Sequence, residues 1–286
     1  MADASCPASC GELLQGWILG GEKLVSCPIN WFSHVSVTEG APGQRERPLM
    51  RQMLLKVLEH LGLPSEAARG LRIDFASTIP VAKGMASSTA DIAATAQATA
   101  RHLGTDFDED TLARLCVQLE PTDSTLFRQL TLFDHQTAAT RQPCGWLPAL
   151  DIILLESPLT LNTADYHRRD RRQALWDNAA TLEQAWALFS QAVKAHDCNK
   201  LGEATTLSAR ASQVLLPKPR FEELLTLVEK SGIYGLNVAH SGSVVGLLFD
   251  ADKHDSEKLD GLLQQRRIVE AYPRQHRLRL IHGGVR

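Results

Sequence analysis

The sequence predicts an α+β fold in two parts: a mixed α/β half over residues 1–147 and a ferredoxin-like half over 148–286. Three observations predict it. Extended runs alternate with helical stripes in the first half. The second half reads strand, helix, strand, strand, helix, strand, the order of a split β-α-β unit. Between them Pro143, Gly145 and Pro148 break regular structure. The chain has 286 residues, 44% of them apolar and 22% charged, which is enough to build a large core and unlike the composition of a disordered segment.

The elements follow in order. Leu24 to Cys27 and His34 to Val37 read as strands, the second alternating with period two. Met50, Met53, Leu54, Val57, Leu58 and Leu61 form a helical stripe that Gly62 stops. Leu71 to Phe75 alternates again. In the second half, Asp151 to Leu155 is a short apolar run typical of a buried strand. Leu175, Leu182, Trp186, Phe189 and Val193 share one long helical stripe, and Phe221, Leu224, Leu225 and Val228 mark another helix. Strands Gly235 to Ala239 and Val244 to Phe249 flank a tight Ser-Gly-Ser turn. A helix carrying Leu259, Leu262 and Leu263 precedes a last strand from Leu278 to Ile281.

Charge and patterning exclude several classes. The net charge is −3 and no block is strongly basic, so a nucleic-acid partner is not expected. No apolar run approaches the ~18 residues of a membrane span, so neither is a membrane partner. The N-terminal MADASCPASC lacks the pattern of an export signal. With it, Cys6, Cys10, Cys27, Cys116, Cys144 and Cys198 read as reduced thiols of a cytoplasmic protein. Cys6, Cys10 and Cys27 could be three zinc ligands, but no second close pair completes a set.

The segment with most chemistry is 79–104, IPVAKGMASSTADIAATAQATARHLG. Pro80 ends an extended stretch, and Gly84 permits backbone angles that bulky residues resist. Ala86, Ser87 and Ser88 lead into an alanine-rich helix that stops at Gly104. Unpaired N–H groups at such a helix start form an anion site suited to a di- or triphosphate, and serine hydroxyls there can reach Mg²⁺. No Walker A pattern is present. The competing reading is a closely packed small-residue helix capped by serine.

PVAKGMASSTADIAA resembles the phosphate loop of the GHMP kinases, a superfamily that includes galactokinases, homoserine kinases and mevalonate kinases. CPASCGELLQG resembles its first motif and GLNVAHSGSVVGLLFD its third, in the right order. With LEPTDSTLF, DYHR and LLPKP, the resemblance runs nearly end to end with the threonine-phosphorylating members that serve adenosylcobalamin synthesis. It implies an N-terminal domain like ribosomal protein S5 domain 2 and a ferredoxin-like C-terminal domain. It also implies transfer of the ATP γ-phosphoryl group, with Mg²⁺, to the hydroxyl of L-threonine. The product, O-phospho-L-threonine, supplies the aminopropanol linker of the coenzyme.

The resemblance also assigns candidate residues. Pro80, Val81, Ala82, Lys83, Gly84, Met85, Ala86, Ser87, Ser88 and Thr89 would hold ATP. Asp123 would accept the hydroxyl proton, although it could instead cap the turn that follows. Lys83 would add a catalytic positive charge unless it is a solvated loop residue. Ser88 with Glu120, or its rival Asp91, would hold the metal. Ser9 stands where several superfamily members carry a lysine or arginine, so a lysine–aspartate couple is not expected from the first motif. Glu12 is the candidate for the substrate ammonium, with Ser9, His240, Ser241 and Gly242 as further substrate contacts and Asp165 to Arg168 as weaker ones. Arg168, Arg169, Arg171 and Arg172 read more simply as a solvated basic helix end. Another small-alcohol kinase such as a homoserine kinase, a non-catalytic nucleotide-binding regulator, and a cysteine hydrolase using Cys10 are the rivals. A homodimer is left open.

Overall fold

The computed structural model describes residues 1–159 and 171–286. The chain opens with a long antiparallel hairpin, β1 (Ala2–Ile18) and β2 (Gly21–Glu39). Leu19 and Gly20 connect them with φ of 48° and 75°, the two left-handed residues that a twist-matched two-residue turn requires. The sequence suggested only two short strands here. Alternation is lost because β1 is buried along most of its length and built from small Ala, Ser and Cys residues. Register shifts between Pro7 and Ser9, Ser9 and Glu12, and Glu12 and Leu14 bend the hairpin at the first motif.

Helix α1 (Pro48–His60) starts with Pro at its first turn and buries Met50, Met53, Leu54, Val57 and Leu58, as the stripe predicts. Strand β3 (Leu71–Ser77) pairs with the far half of β2. Helix α2 (Ser87–His102) packs on both β1 and β2, and nearly all of its residues are buried. Small alanines allow that close approach on every side. Helix α3 (Glu109–Val117) and two short strands, β4 (Thr131–Phe133) and β5 (Arg141–Pro143), complete the half.

The second half contains β6 (Asp151–Glu156), α4 (Arg172–Asp177), α5 (Ala179–Ala195), α6 (Cys198–Ser212), α7 (Phe221–Ser231), β7 (Gly235–Val238), β8 (Val245–Phe249), α8 (Ser256–Gln265), α9 (Ile268–Ala271) and β9 (Arg274–Arg279). Its strands lie in the order β7-β8-β6-β9, all antiparallel. That is the ferredoxin-like arrangement predicted from element order. The expected long helix is two helices, divided at Asn178. The last strand starts four residues earlier than expected.

Helix α6 was not foreseen, because Gly202, Thr205, Thr206 and Ser208 blur its stripe. Asp197 caps it, accepting from the N–H groups of Asn199 and Lys200 at 2.9 and 3.1 Å. A Cβ on Gly202 would lie 1.8 Å from the Tyr234 carbonyl oxygen, so α6 rests on the backbone entering β7. Gly202→Ala is expected to lower stability by about 1–3 kcal/mol, because neither backbone can yield without moving an element. Thermal unfolding checks this, and an unchanged Tm would show that α6 has room to shift.

The two halves share one sheet. Glu12 of β1 pairs with Val238 of β7, giving the order β5-β4-β2-β1-β7-β8-β6-β9 with β3 beside β2 among the described residues. One apolar cluster joins residues of both halves, including Leu13, Ile29, Ile92, Ile152, Phe189 and Ala239. A second lies in the ferredoxin-like half around Leu155, Leu224, Leu247 and Tyr272. All six cysteines are free thiols, and burial pushes Cys6 up to about 12. Among the described residues, no helix is long and apolar enough to cross a membrane.

Candidate active site

The segment between β3 and α2 ends in alternate left-handed residues: Ala82, Gly84 and Ala86 have φ of 59°, 77° and 55°. Only Gly84 was anticipated. An alanine held there costs on the order of 1 kcal/mol, so two of them mark a backbone shape kept for a purpose. Alternating handedness turns successive N–H groups toward one side and makes an anion-binding concavity. Ala86 occupies the N-cap of α2, and no side chain caps that end. The serine-cap alternative is therefore set aside, and the first-turn N–H groups beside Ser87 and Ser88 remain available to an anion.

The third motif braces this loop from below. A Cβ on Gly84 would lie 2.3 Å from Ala239 Cβ, and one on Gly242 would lie 2.2 Å from the Lys83 carbonyl oxygen. The N–H groups of Ser243 and Val244 donate to that same oxygen at 3.0 and 3.3 Å. Gly242 is thus a support for the loop. Ser241 is half-exposed at the tip of the same turn.

Lys83 takes a different place from the one expected. Its buried ammonium donates to the carbonyl oxygens of Ser157 and Leu159 at 2.6 and 2.7 Å. It ties the loop to the exit of β6 and is neither a solvated loop lysine nor a cation turned to a phosphate. Ser9 also departs from expectation. It is fully buried, its hydroxyl donates to the Gly11 carbonyl and accepts from Cys27 N–H, and its own N–H donates to Met85 O at 3.0 Å. Its hydroxyl is spent fixing the β1 bulge against the loop, which removes it as a substrate contact.

Two carboxyl groups from distant parts of the chain meet beside α2. Asp123 accepts from Ser26 Oγ and Thr89 Oγ1, each at 3.3 Å, and its N–H donates to Thr89 Oγ1 at 3.2 Å. It does not cap the turn at 124–126. Glu12 accepts from the His240 N–H at 2.9 Å and faces His240 Nδ1 at 3.1 Å. The Asp123 and Glu12 carboxyl groups lie close enough for each to influence the other's proton affinity. Burial pushes each up to about 7, and the charge of Glu12 raises Asp123 further. Burial, reinforced by Lys218, pushes His240 down to about 3. The neutral imidazole donates from Nδ1 to Glu12, leaving Nε2 as a buried acceptor with no hydrogen-bond partner among the described residues. Gly11 (φ 56°) and Asn237, whose amide donates to the carbonyls of Cys10 and Glu12, hold Glu12 in this position.

The metal candidates separate. Burial, with nearby Asp123 and Asp91, raises Glu120, and the Ser88 hydroxyl beside it opposes that rise. Asp91 instead accepts from Ser33 Oγ at 2.6 Å and forms an ion pair with Arg47. Its oxygens are committed, so the rival ligand is withdrawn. Among the described residues, no group of three or more His, Cys, Asp or Glu is arranged to hold a metal. A hydroxyl and one carboxylate are the hard oxygen donors that suit Mg²⁺ when phosphate oxygens and water complete its shell.

Lys218 is the residue that sequence reading missed. It sits in LLPKP before α7, looks like a surface loop lysine, and is buried. Arg171 is buried too and paired with Glu22 at 2.8 Å, not solvated. Asp165 to Arg168 and Arg169 lie outside the described residues.

Two family models match in order: GHMP kinases N terminal domain over residues 48–127 and GHMP kinases C terminal over 189–264. The chain belongs to the GHMP kinases. It is 58% identical over 286 residues to an L-threonine kinase of Salmonella typhimurium, covering 100% of this chain and 95% of that one. An L-threonine kinase of Citrobacter freundii is 57% identical over 285 residues, covering 100% and 99%. A mevalonate kinase of Methanococcus jannaschii superposes with a TM-score of 0.66 at 14% identity, over 98% of each chain. A homoserine kinase of Cytophaga hutchinsonii does so with 0.67 at 14% identity, over 100% of this chain and 96% of that one. Both structures share the fold.

Proposed function

We propose that this GHMP kinase transfers the γ-phosphoryl group of ATP to the side-chain hydroxyl of L-threonine, giving O-phospho-L-threonine and ADP. The observation that carries the reading is the hydrogen bond from Thr89 to Asp123. Thr89 is in the first turn of the phosphate-binding helix, so this bond keeps the proton acceptor beside the reacting phosphoryl group. The full-length likeness to two L-threonine kinases supports threonine as acceptor over homoserine.

The N–H groups of 82–88 and the hydroxyls of Ser87 and Ser88 hold the β- and γ-phosphates. The threonine hydroxyl oxygen attacks the γ-phosphorus, its proton passes to an Asp123 carboxylate oxygen, and the β–γ bridging bond breaks to leave ADP. Glu12 answers the substrate ammonium, and the His240 Nε2 lone pair adds an acceptor. Ser88 and Glu120 would hold Mg²⁺, which when bound neutralises charge on the phosphate oxygens. A cytoplasmic setting and a role in making the adenosylcobalamin linker follow from the same reading.

Incubation with ATP, Mg²⁺ and threonine, homoserine or serine tests it. Formation of ADP with O-phosphothreonine is expected, and a preference for homoserine would overturn it. Ser88→Ala and Glu120→Gln are each expected to raise the Mg²⁺ concentration for half-maximal rate about tenfold, a change of about 1.4 kcal/mol. An unchanged metal response would remove that residue from the metal site.

A further inference from the structure

Lys218 is a buried cation in search of an anion. It lies between α6 and α7, 5% exposed, flanked by Pro217 and Pro219, which restrict the backbone that presents it. Its N–H donates to Gln213 Oε1 at 2.8 Å, fixing the segment to the end of α6. Its ammonium donates to the Leu216 carbonyl oxygen at 3.2 Å and forms no ion pair with a described residue. An ammonium has three N–H donors, so two are unspent. Burying such a charge without a counter-ion is unfavourable, and burial accordingly pulls Lys218 down to about 7 while Glu12 holds it up. The charge is also felt at His240. Ser212 and Leu215, at and just past the end of α6 to which Lys218 is fixed, line one cavity together with His240, so Lys218 lies beside the Glu12–Asp123–His240 cluster.

An α-amino acid brings one charge of each sign. The cluster has an anion for the ammonium in Glu12. Among the described residues, Lys218 gives it a cation with free donors. We propose that Lys218 binds the α-carboxylate of the acceptor amino acid, so that Glu12 and Lys218 grip the two ends of the zwitterion and leave its hydroxyl toward Asp123. The proposal rests on the reading that the acceptor is threonine. It makes Lys218 the residue that separates amino acids from simple alcohols of similar shape.

The experiment compares L-threonine with L-threoninamide, which keeps the hydroxyl and ammonium and lacks the carboxylate. The wild-type protein is expected to favour threonine by about a hundredfold in kcat/KM. Lys218→Met is expected to remove most of that preference through KM for threonine, with KM for ATP and the rate on threoninamide within about threefold. Lys218→Arg is expected to keep part of it. Equal losses on both substrates would overturn the proposal, as would a wild-type protein that does not discriminate.

Should Lys218→Met fail to fold, the wild-type protein still decides. A lysine with a lowered proton affinity reacts with acetic anhydride near neutral pH, and peptide mass spectrometry reads its labelling. Threonine is expected to protect Lys218 and threoninamide is not. Lack of protection by threonine overturns the proposal, and equal protection by inorganic phosphate overturns it in favour of a phosphoryl site. Protection is read without turnover, so it stands apart from any failure to detect phosphothreonine.

Discussion

Asp123→Asn is expected to lower kcat by about 10²–10⁴, the range for losing a positioned general base, and to leave ATP affinity within a few-fold. Asparagine keeps the shape of aspartate: its one amide oxygen can accept from Ser26 or Thr89, which bond the two Asp123 oxygens at 3.3 Å, and its NH2 can donate to the other hydroxyl. It cannot take a proton. The substitution also removes one of two neighbouring carboxyl groups, the half-buried Asp123 beside the buried Glu12, so unfolding temperature is expected to hold or rise. Single-turnover rates with an ATP titration check the split, and near-normal turnover would remove Asp123 as the acceptor. The pH profile gives a second readout. Asp123 and Glu12 are both raised to about 7 and titrate as a pair. Below that range the pair holds protons and Asp123 cannot accept another, so kcat/KM falls as pH drops through neutrality. That acid limb is expected to flatten in Asp123→Asn.

How far the site could be read in advance depends on the range of each interaction. The turn at Gly84 and the helix after it were legible because their signal is local: a glycine, two serines and a run of alanines within one segment. The ferredoxin-like half was legible from element order alone. The meeting of Glu12 with His240 was anticipated as a shared substrate site through motif order, although the hydrogen bonds between them were not. Other features depend on partners far along the chain. Asp91 looks like a metal ligand until Arg47, 44 residues away, is found on it. Lys83 looks like a phosphate-loop cation until the carbonyls of Ser157 and Leu159 are seen to take its ammonium. Lys218 gives no local sign, since nothing in Leu-Leu-Pro-Lys-Pro marks a lysine that the fold leaves 5% exposed. The long first strand escaped because burial of most of its length removes the alternation that marks a half-buried strand.

Gly242→Ala is expected to cost about a hundredfold in kcat/KM for ATP, with much of the loss in ATP binding. The added Cβ would lie 2.2 Å from Lys83 O, 2.3 Å from Gly84 N and 2.4 Å from Gly84 Cα. All three are backbone atoms of the phosphate loop, so no side chain can swing aside. Relief requires the loop and the turn to part by about 1 Å, the scale at which misplacement costs about 10² in rate. The loop resists that movement, because Ser243 and Val244 N–H hold Lys83 O, Lys83 holds Ser157 and Leu159, and Ser9 N–H holds Met85 O. Pairing of β7 with β8 lies outside the clash, so the variant is expected to fold with a modestly lower Tm. Gly232→Ala is the control. Gly232 has φ of 74° with nothing within 4 Å of its Cβ position. It should lose about 1 kcal/mol of stability from left-handed strain and keep its activity. If Gly242→Ala binds ATP as tightly as wild type while Gly232→Ala behaves as stated, the third motif does not brace the nucleotide loop.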